Sequence, residues 1–364
     1  LEKYSLRLIE ALKARGHEVT ILSTTKRDDL HLVKVCRRLH PSALNMLWFD
    51  YHCRRYLHSH LFDIVIGFDR HFFPLTYYRA GNGCHAAFLA RRMQTASAMK
   101  RLLLRLNPLH WLTRWSERLT FERMPPRAII CNSHLVQEEI KRYYPKTPPE
   151  RLIAIHNGVE WHEFEPAFRE KMALSHSSSS IPQLLFIGHE WGRKGLERLM
   201  RALALISDRS FHLTAVGRER HGDRFVQLAQ RLGISHKVTL IPTPQRSAQF
   251  YRTAHIMIIP SHYDPFANVT LEALAMGLYV ITTRANGGFE VITPGINGDV
   301  LDEDASDGDL SRAIALALPL ASDPSLPTTI RESVREYDFS KKLDEYVTLI
   351  ETQAPLPSAW EGPR

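Results

Sequence analysis

The sequence predicts an α/β protein of two domains, each built on a parallel sheet. Three observations carry that expectation. Strand-like and helix-like patterns alternate almost from end to end, as parallel sheets with crossover helices require. The segment Asp63–Phe68 has an unbroken apolar centre, which suits a strand covered on both faces. The chain's 364 residues, 44% hydrophobic and 24% charged, provide for two cores of ordinary size.

Residues 1–14 read as a helix, with Leu1, Leu8 and Leu12 near one face and Gly16 past its end. No signal peptide is expected, since Leu1-Glu2-Lys3-Tyr4 reads as part of that helix. His17–Leu22 follows as a strand, then Asp63–Phe68, Thr76–Ala80 running into Gly81-Asn82-Gly83, and Arg127–Asn132. Ser133 is placed to cap a helix over 133–143. Pro145-Lys146-Thr147-Pro148-Pro149 is the first strong break, which sets the first domain at 1–150 and the second at 151–330. The second repeats strand and helix: strands over 184–188, 211–217, 238–242, 256–260 and 279–283, helices over 196–206, 223–232, 246–254 and 271–276. A helix over 329–352, expected to pack back toward the first domain, and a Pro-rich tail from Pro355 fill 331–364. Ser177–Ser180 is a low-complexity loop, and no repeat is visible.

Composition narrows the function classes. No run of about 18 apolar residues is present, so no membrane-spanning helix is expected. Cys36, Cys53, Cys84 and Cys131 are scattered without metal-ligand spacing and read as free thiols of a reducing compartment. The net charge of +8 is uneven: residues 1–150 hold 25 Lys and Arg against 13 Asp and Glu, and the remainder is net acidic. A basic first half implies an anionic partner there.

Two constellations carry chemistry. Gly192-Arg193-Lys194-Gly195 follows the strand ending at Gly188 and precedes a helix. A guanidinium clamps a diphosphate through two parallel N–H bonds and a lysine adds a point charge. Flanking glycines let the backbone approach, and the helix dipole adds to the field. Alone, those four residues would sooner be a solvated basic turn, since basic turns are common. Further on, Asp264 follows an apolar strand and Glu272 lies on a helix closed by Gly277, with seven residues between them. Strand–loop–helix geometry puts both acids at the carboxyl end of a parallel strand, where ligands bind in open α/β sheets. Either acid alone reads as a loop acid or as an acid stabilising a helix start; at this spacing within strand–loop–helix, one carboxylate would take sugar hydroxyls and the other a ribose diol. Phe266 lies in that loop, and the amides of Ala267, Asn268 and Val269 would reach a pyrophosphate. Cations for phosphates and acids for hydroxyls describe a nucleotide-sugar site.

Asn82 and His85, in Gly81-Asn82-Gly83-Cys84-His85, are the first domain's candidates: Asn82 to orient a hydroxyl, His85 to hydrogen-bond donor sugar or acceptor. A glycine turn with a capping Asn is the plainer alternative. No metal site is expected. Asp302-Glu303-Asp304 reads as a surface turn, and His58 and His60 as solvated. Residues 86–124 hold eight Lys and Arg against two acids, Glu117 and Glu122. Met99, Leu102, Leu103 and Leu106 fall on one helical face, and Trp111 and Trp115 form an interfacial pair. This suits a helix lying in an anionic membrane surface. A core helix with a basic face is the alternative; no RNA-binding signature is present, so no nucleic-acid partner is expected.

With these residues in view, the sequence resembles the retaining nucleotide-sugar glycosyltransferases of GT-B fold, family four, and within them the lipopolysaccharide-core enzymes that glucosylate heptose. Matching elements are Leu6–Ile9 with Arg15–Val19, Gly67-Phe68, Ala80–His85, Asn157-Gly158-Val159, Gly192–Gly195, the acid pair Asp264 and Glu272, and Thr283–Gly288. The resemblance implies two Rossmann-like domains facing across a cleft. It also implies that Arg193 and Lys194 hold the donor diphosphate, Glu272 the ribose, and Asp264 the sugar, with Gly188 lining the donor site. Asp264 stands where the family usually has Glu, a side chain shorter by about 1.5 Å. The family is thought to react by front-face displacement without a dedicated base, a metal or another cofactor. The donor implied is UDP-glucose and the acceptor a lipid-linked saccharide. The location implied is cytoplasmic, on the inner face of the membrane, with 86–124 as the attachment. A first domain of this fold opens with a strand and a glycine-rich turn ahead of the helix at Leu1, so it is expected to be truncated at its start. Two rivals stand beside this reading: a sugar-nucleotide epimerase of the same architecture, and a membrane-attached nucleotide-sugar-binding protein without turnover.

Overall fold

The computed structural model describes residues 3–25, 32–94, 96–175, 181–242 and 248–352. Residues 1–2, Ser177–Ser180, 246–247 and the tail from Pro355, for which the sequence carried expectations, lie outside the described residues. The chain divides into two compact units, one of residues 1–156 with 342–364 and one of 157–341.

The first unit runs α1 (Lys3–Ala14), β1 (Ile21–Ser23), β2 (Leu32–Lys34), α2 (Ser42–Ser59), β3 (Ile66–Gly67), β4 (Tyr77–Ala80), α3 (His85–Gln94), α4 (Ala98–Leu106), α5 (Pro108–Arg118), β5 (Ala128–Cys131), α6 (His134–Tyr143) and β6 (Leu152–Ala154). β3-β4-β5-β6 form one parallel sheet and β1-β2 a parallel pair. β4 and β5 are buried at every position, and Ser133 caps α6 by accepting the Val136 amide at 3.2 Å. Two strands are shorter than their apolar patterns. His17–Leu22 becomes Ile21–Ser23, and Asp63–Phe68 becomes Ile66–Gly67, with Ile64 and Val65 half-buried. β3 has β4 as its one partner within this sheet; Val65 still accepts the Thr76 and Tyr77 amides at 2.8 and 3.1 Å and packs on the core, but the paired register begins only at Ile66.

The second unit runs α7 (Trp161–Ser175), β7 (Gln183–Ile187), α8 (Leu196–Ala204), β8 (His212–Val216), α9 (Gly222–Arg231), β9 (Val238–Ile241), α10 (Ala248–Thr253), β10 (Ile256–Ile259), α11 (Asn268–Ala275), β11 (Tyr279–Thr283), β12 (Gly298–Leu301), α12 (Asp307–Ala317), α13 (Leu326–Glu332) and the start of α14 (Phe339–Thr352). Its six strands are all parallel, in the order β12-β11-β10-β7-β8-β9. This is the doubly wound order, and the chain reverses direction across the sheet between β7 and β10.

Three expectations on boundaries are corrected. The units divide after His156 rather than at 150, because Leu152–Ala154 pairs with β5 in the first sheet. The helix drawn over 271–276 starts at Asn268, which sets Glu272 in its second turn. The helix drawn over 329–352 is two, α13 and α14. Between them Val159 bridges Asp338 and donates its amide to Tyr337, and the Asp338 carboxylate caps the new helix through the Ser340 amide at 3.0 Å. Most of α14 belongs to the first unit, where Tyr346 meets Tyr4 edge-on at 6.0 Å and Asp344 and Glu351 pair with Arg15 at 2.9 and 2.7 Å.

Candidate active site

The turn after β7 and the loop after β10 meet at the reversal point of the second sheet. Gly195 makes the close approach possible. It opens α8 at φ +87°, and a Cβ there would stand 2.1 Å from the Pro260 carbonyl oxygen. Lys194, buried, sends its ammonium Nζ onto Asp264 Oδ2 as an ion pair. Arg193 is one-third exposed; its Nε donates to Glu190 at 2.7 Å, its Nη1 donates to the Tyr263 carbonyl at 3.1 Å, and Nη1 stands 3.8 Å from Asp264 Oδ2. Burial is the largest influence on Lys194 and pushes its ammonium down to about 7, with the Arg193 guanidinium adding to it. The Asp264 carboxylate in contact opposes that shift and favours the charged pair. Gly188 lies beneath, where a Cβ would come 3.0 Å from the Lys194 chain.

Asp264 is fixed from several sides. Its amide donates to Ala285, its carbonyl accepts from Gly287, and Oδ1 accepts the Phe266 amide at 3.1 Å. Of the loop amides expected to face a pyrophosphate, Ala267's is engaged elsewhere: it donates to Asn286 Oδ1 at 3.0 Å. The amides of Asn268 and Val269, at the first positions of α11, have no partner among the described residues and remain at the helix N-terminus. Asn268 Oδ1 accepts from Asn157 Nδ2 at 2.7 Å, which ties the Asn157-Gly158-Val159 turn to this loop. Glu272 is half-buried and accepts the Tyr251 phenol on Oε2 at 2.7 Å.

Two residues without a role in the sequence reading organise this site. Asn286 is fully buried; Oδ1 accepts from Ala267 and Gly288, and Nδ2 donates to Thr270 and Thr282. Its signal was a polar residue just past an apolar strand, the same placement as Asp264. Tyr251 gave none, since an aromatic on a helix reads as core. Its ring is wholly buried and meets Phe164 edge-on at 6.0 Å. Tyr251→Phe keeps that packing and removes the bond to Glu272. Calorimetric titration with nucleotide is expected to show binding weakened by roughly tenfold at an unchanged melting temperature. Unaltered affinity would detach Glu272's orientation from nucleotide binding.

The first-domain candidates lie at the carboxyl end of β4. Asn82 is exposed on the turn. His85 is half-buried and opens α3 rather than ending a loop. Its amide donates to Glu117 Oε1 at 2.6 Å, and its Nε2 lies 3.1 Å from His110 Nδ1. Burial, then Arg70 and His110, push the His85 imidazole down to about 3. Glu117 is wholly buried and also accepts from Ala86, Arg70 and Tyr144.

A cation pair, an acid and helix N-terminal amides meet at the reversal point of a doubly wound parallel sheet, and this arrangement, in an α/β protein, is chemically suited to an anionic, hydroxyl-bearing ligand. Residues 1–162 match the family model described as Glycosyltransferase Family 4, and residues 169–336 the one described as Glycosyl transferases group 1. The two matches follow one another along the chain, which belongs to the family-four glycosyltransferases of GT-B fold. It is similar to lipopolysaccharide glucosyltransferase WaaG of Escherichia coli K12, 25% identical over 356 residues that cover 94% of this chain and 91% of WaaG. Among solved structures, that of WaaG matches with a TM-score of 0.77 at 23% identity, covering 96% of this chain and 95% of that one. Anabaena HepE in complex with UDP-glucose matches with a TM-score of 0.67 at 16% identity, covering 97% and 96%. At these identities the structural likeness is one of fold.

Proposed function

We propose that the protein transfers a hexose, with retention, from a nucleotide diphosphate sugar to a lipid-linked saccharide such as lipopolysaccharide core, with UDP-glucose as donor. The observation that carries this reading is the meeting of Arg193 and Lys194 with Asp264 at the reversal point between β7 and β10. The cations and the amides of Asn268 and Val269 take the diphosphate, Glu272 the ribose and Asp264 the sugar. His85 and Asn82 serve the saccharide end. The bond from C1 to the leaving phosphate breaks as the acceptor oxygen bonds C1 on the same face. The acceptor proton passes to the leaving phosphate oxygen, so the protein supplies position and charge rather than a base. Arg193 and Lys194 supply the positive charge, so no metal is assigned a role. Similarity to WaaG along nearly the whole chain supports the acceptor class. Turnover with a panel of labelled nucleotide sugars and a heptose-containing acceptor tests it. UDP-glucose is expected to give the highest kcat/KM, and a different preferred base or sugar would replace that donor.

The membrane is the proposed site of action, with the protein peripheral on its inner face. Residues 86–124 fold into α3, α4, α5 and a last turn, not one helix. Met99, Leu102, Leu103 and Leu106 of α4 and Trp111 and Trp115 of α5 are exposed, Trp111 at 69%, among Arg and Lys. Exposed apolar side chains grouped among basic residues fit an anionic lipid surface. No helix among the described residues is long and apolar enough to cross a membrane. Lys100→Ser with Arg105→Ser removes two surface charges worth about 1 kcal/mol each, so co-sedimentation with anionic vesicles is expected to weaken by roughly thirtyfold. Equal binding of the native chain to neutral vesicles would count against this attachment.

A further inference from the structure

Helix α5 has two unlike faces. Trp111 and Trp115 stand exposed on one, while His110, Thr113, Ser116 and Glu117 are buried on the other. The buried face meets the start of α3 at two levels. Glu117 holds the backbone there, accepting the His85 amide at 2.6 Å and the Ala86 amide at 3.3 Å. Two turns earlier, His110 Nδ1 lies 3.1 Å from His85 Nε2. The ring centroids are 5.0 Å apart with planes inclined at 42°, so the rings meet through these nitrogens rather than by stacking. Burial pushes both imidazoles down, His85 to about 3, with Arg70 adding to the effect on His85 and Arg92 to that on His110. Both rings are therefore neutral near pH 7. At such a contact one nitrogen carries the hydrogen and the other the lone pair, since two alike would repel. His85 Nε2 is thereby committed, and Nδ1, which has no partner among the described residues, is the nitrogen left for substrate.

We infer that His110 is a positioning residue: it fixes the tautomer and ring orientation of His85 and leaves Nδ1 to meet a saccharide hydroxyl. The inference rests on the proposed reading that His85 serves the saccharide end of a transferase. His110 would not touch substrate; it acts through His85 alone. A histidine that merely fills the core would affect stability or turnover in the same way whether or not His85 were present.

Two measurements on the full chain separate these cases. The first follows the His85 side-chain nitrogens by long-range proton–nitrogen NMR, and does not depend on turnover. A single neutral tautomer is expected in the native chain between about pH 5 and 8. It gives way to a tautomer mixture in His110→Ala and returns in His110→Asn, whose amide offers a polar atom near the place of Nδ1. The second is a double-mutant cycle on transfer. His110→Ala is expected to lower kcat by about tenfold, with donor KM steady to within about twofold. In a His85→Ala background the same change should alter kcat by less than about twofold. An unchanged His85 tautomer in His110→Ala, or an equal loss of kcat in both backgrounds, overturns the inference. A tautomer that shifts as expected in a native chain that transfers no sugar overturns the transferase reading and leaves the coupling of the two rings standing.

Discussion

Lys194→Ala is expected to lower turnover by about 10²–10³, the usual cost of losing one preorganised group that meets charge developing in the transition state. In the proposed transfer Lys194 would oppose the growing charge on the leaving diphosphate from a buried position, where little solvent screens it. Its removal also leaves the buried Asp264 carboxylate with Arg193 as its near cation, at 3.8 Å, so some loss of melting temperature accompanies the kinetic effect. Arg193→Ala separates the two. That side chain is one-third exposed, so its loss should cost a comparable factor in kcat with the melting temperature nearly unchanged. Steady-state kinetics with melting curves on both variants provide the check. Full turnover in either would remove the residue from the diphosphate site.

Glu117→Ala carries the largest expected effect on stability. No part of the Glu117 side chain is exposed, and its two oxygens accept from Arg70, Tyr144 and the amides of His85 and Ala86. Deleting it strands a largely buried guanidinium and two helix-start amides. Breaking a buried ion pair from one side costs about 3–5 kcal/mol. In a unit of this size that is a fall of roughly 10 °C in melting temperature. Glu122→Ala is the contrast, for Glu122 is linked to the exposed Arg118 at 3.5 Å and to one amide, that of Lys146. Calorimetric scans should show a small shift for Glu122→Ala and a large one for Glu117→Ala. Equal shifts would deny Glu117 its role as the anchor beneath His85.

How much of this was legible in the sequence depended on the range of each cause. The turn at Gly192–Gly195 and the acids at Asp264 and Glu272 were legible because glycines and charges interrupt apolar strands, and the ends of parallel strands are where ligands bind. Central strands such as Tyr279–Thr283 matched their apolar runs, since a strand paired on both sides extends as far as its neighbours allow. At Ile66–Gly67 the apolar pattern outruns the pairing, and the strand is shorter than that pattern. The break before α14 is hidden in the sequence because the residues there pair with Val159, far back in the chain. Glu117, His110 and Tyr251 were illegible as functional supports for the same reason. Glu117 stands in the sequence as one of two acids in a basic segment, and nothing in the sequence singles out His110 or Tyr251. Each takes its meaning from a partner more than twenty residues away.

The most direct test of the central claim is product analysis with labelled UDP-glucose, a heptose-containing lipid-linked acceptor and the native chain in the presence of a metal chelator. Label in the acceptor, joined through the same anomeric configuration as in the donor, is the result predicted. Label in an epimerised nucleotide, an inverted linkage, or tight donor binding with no product would each contradict it.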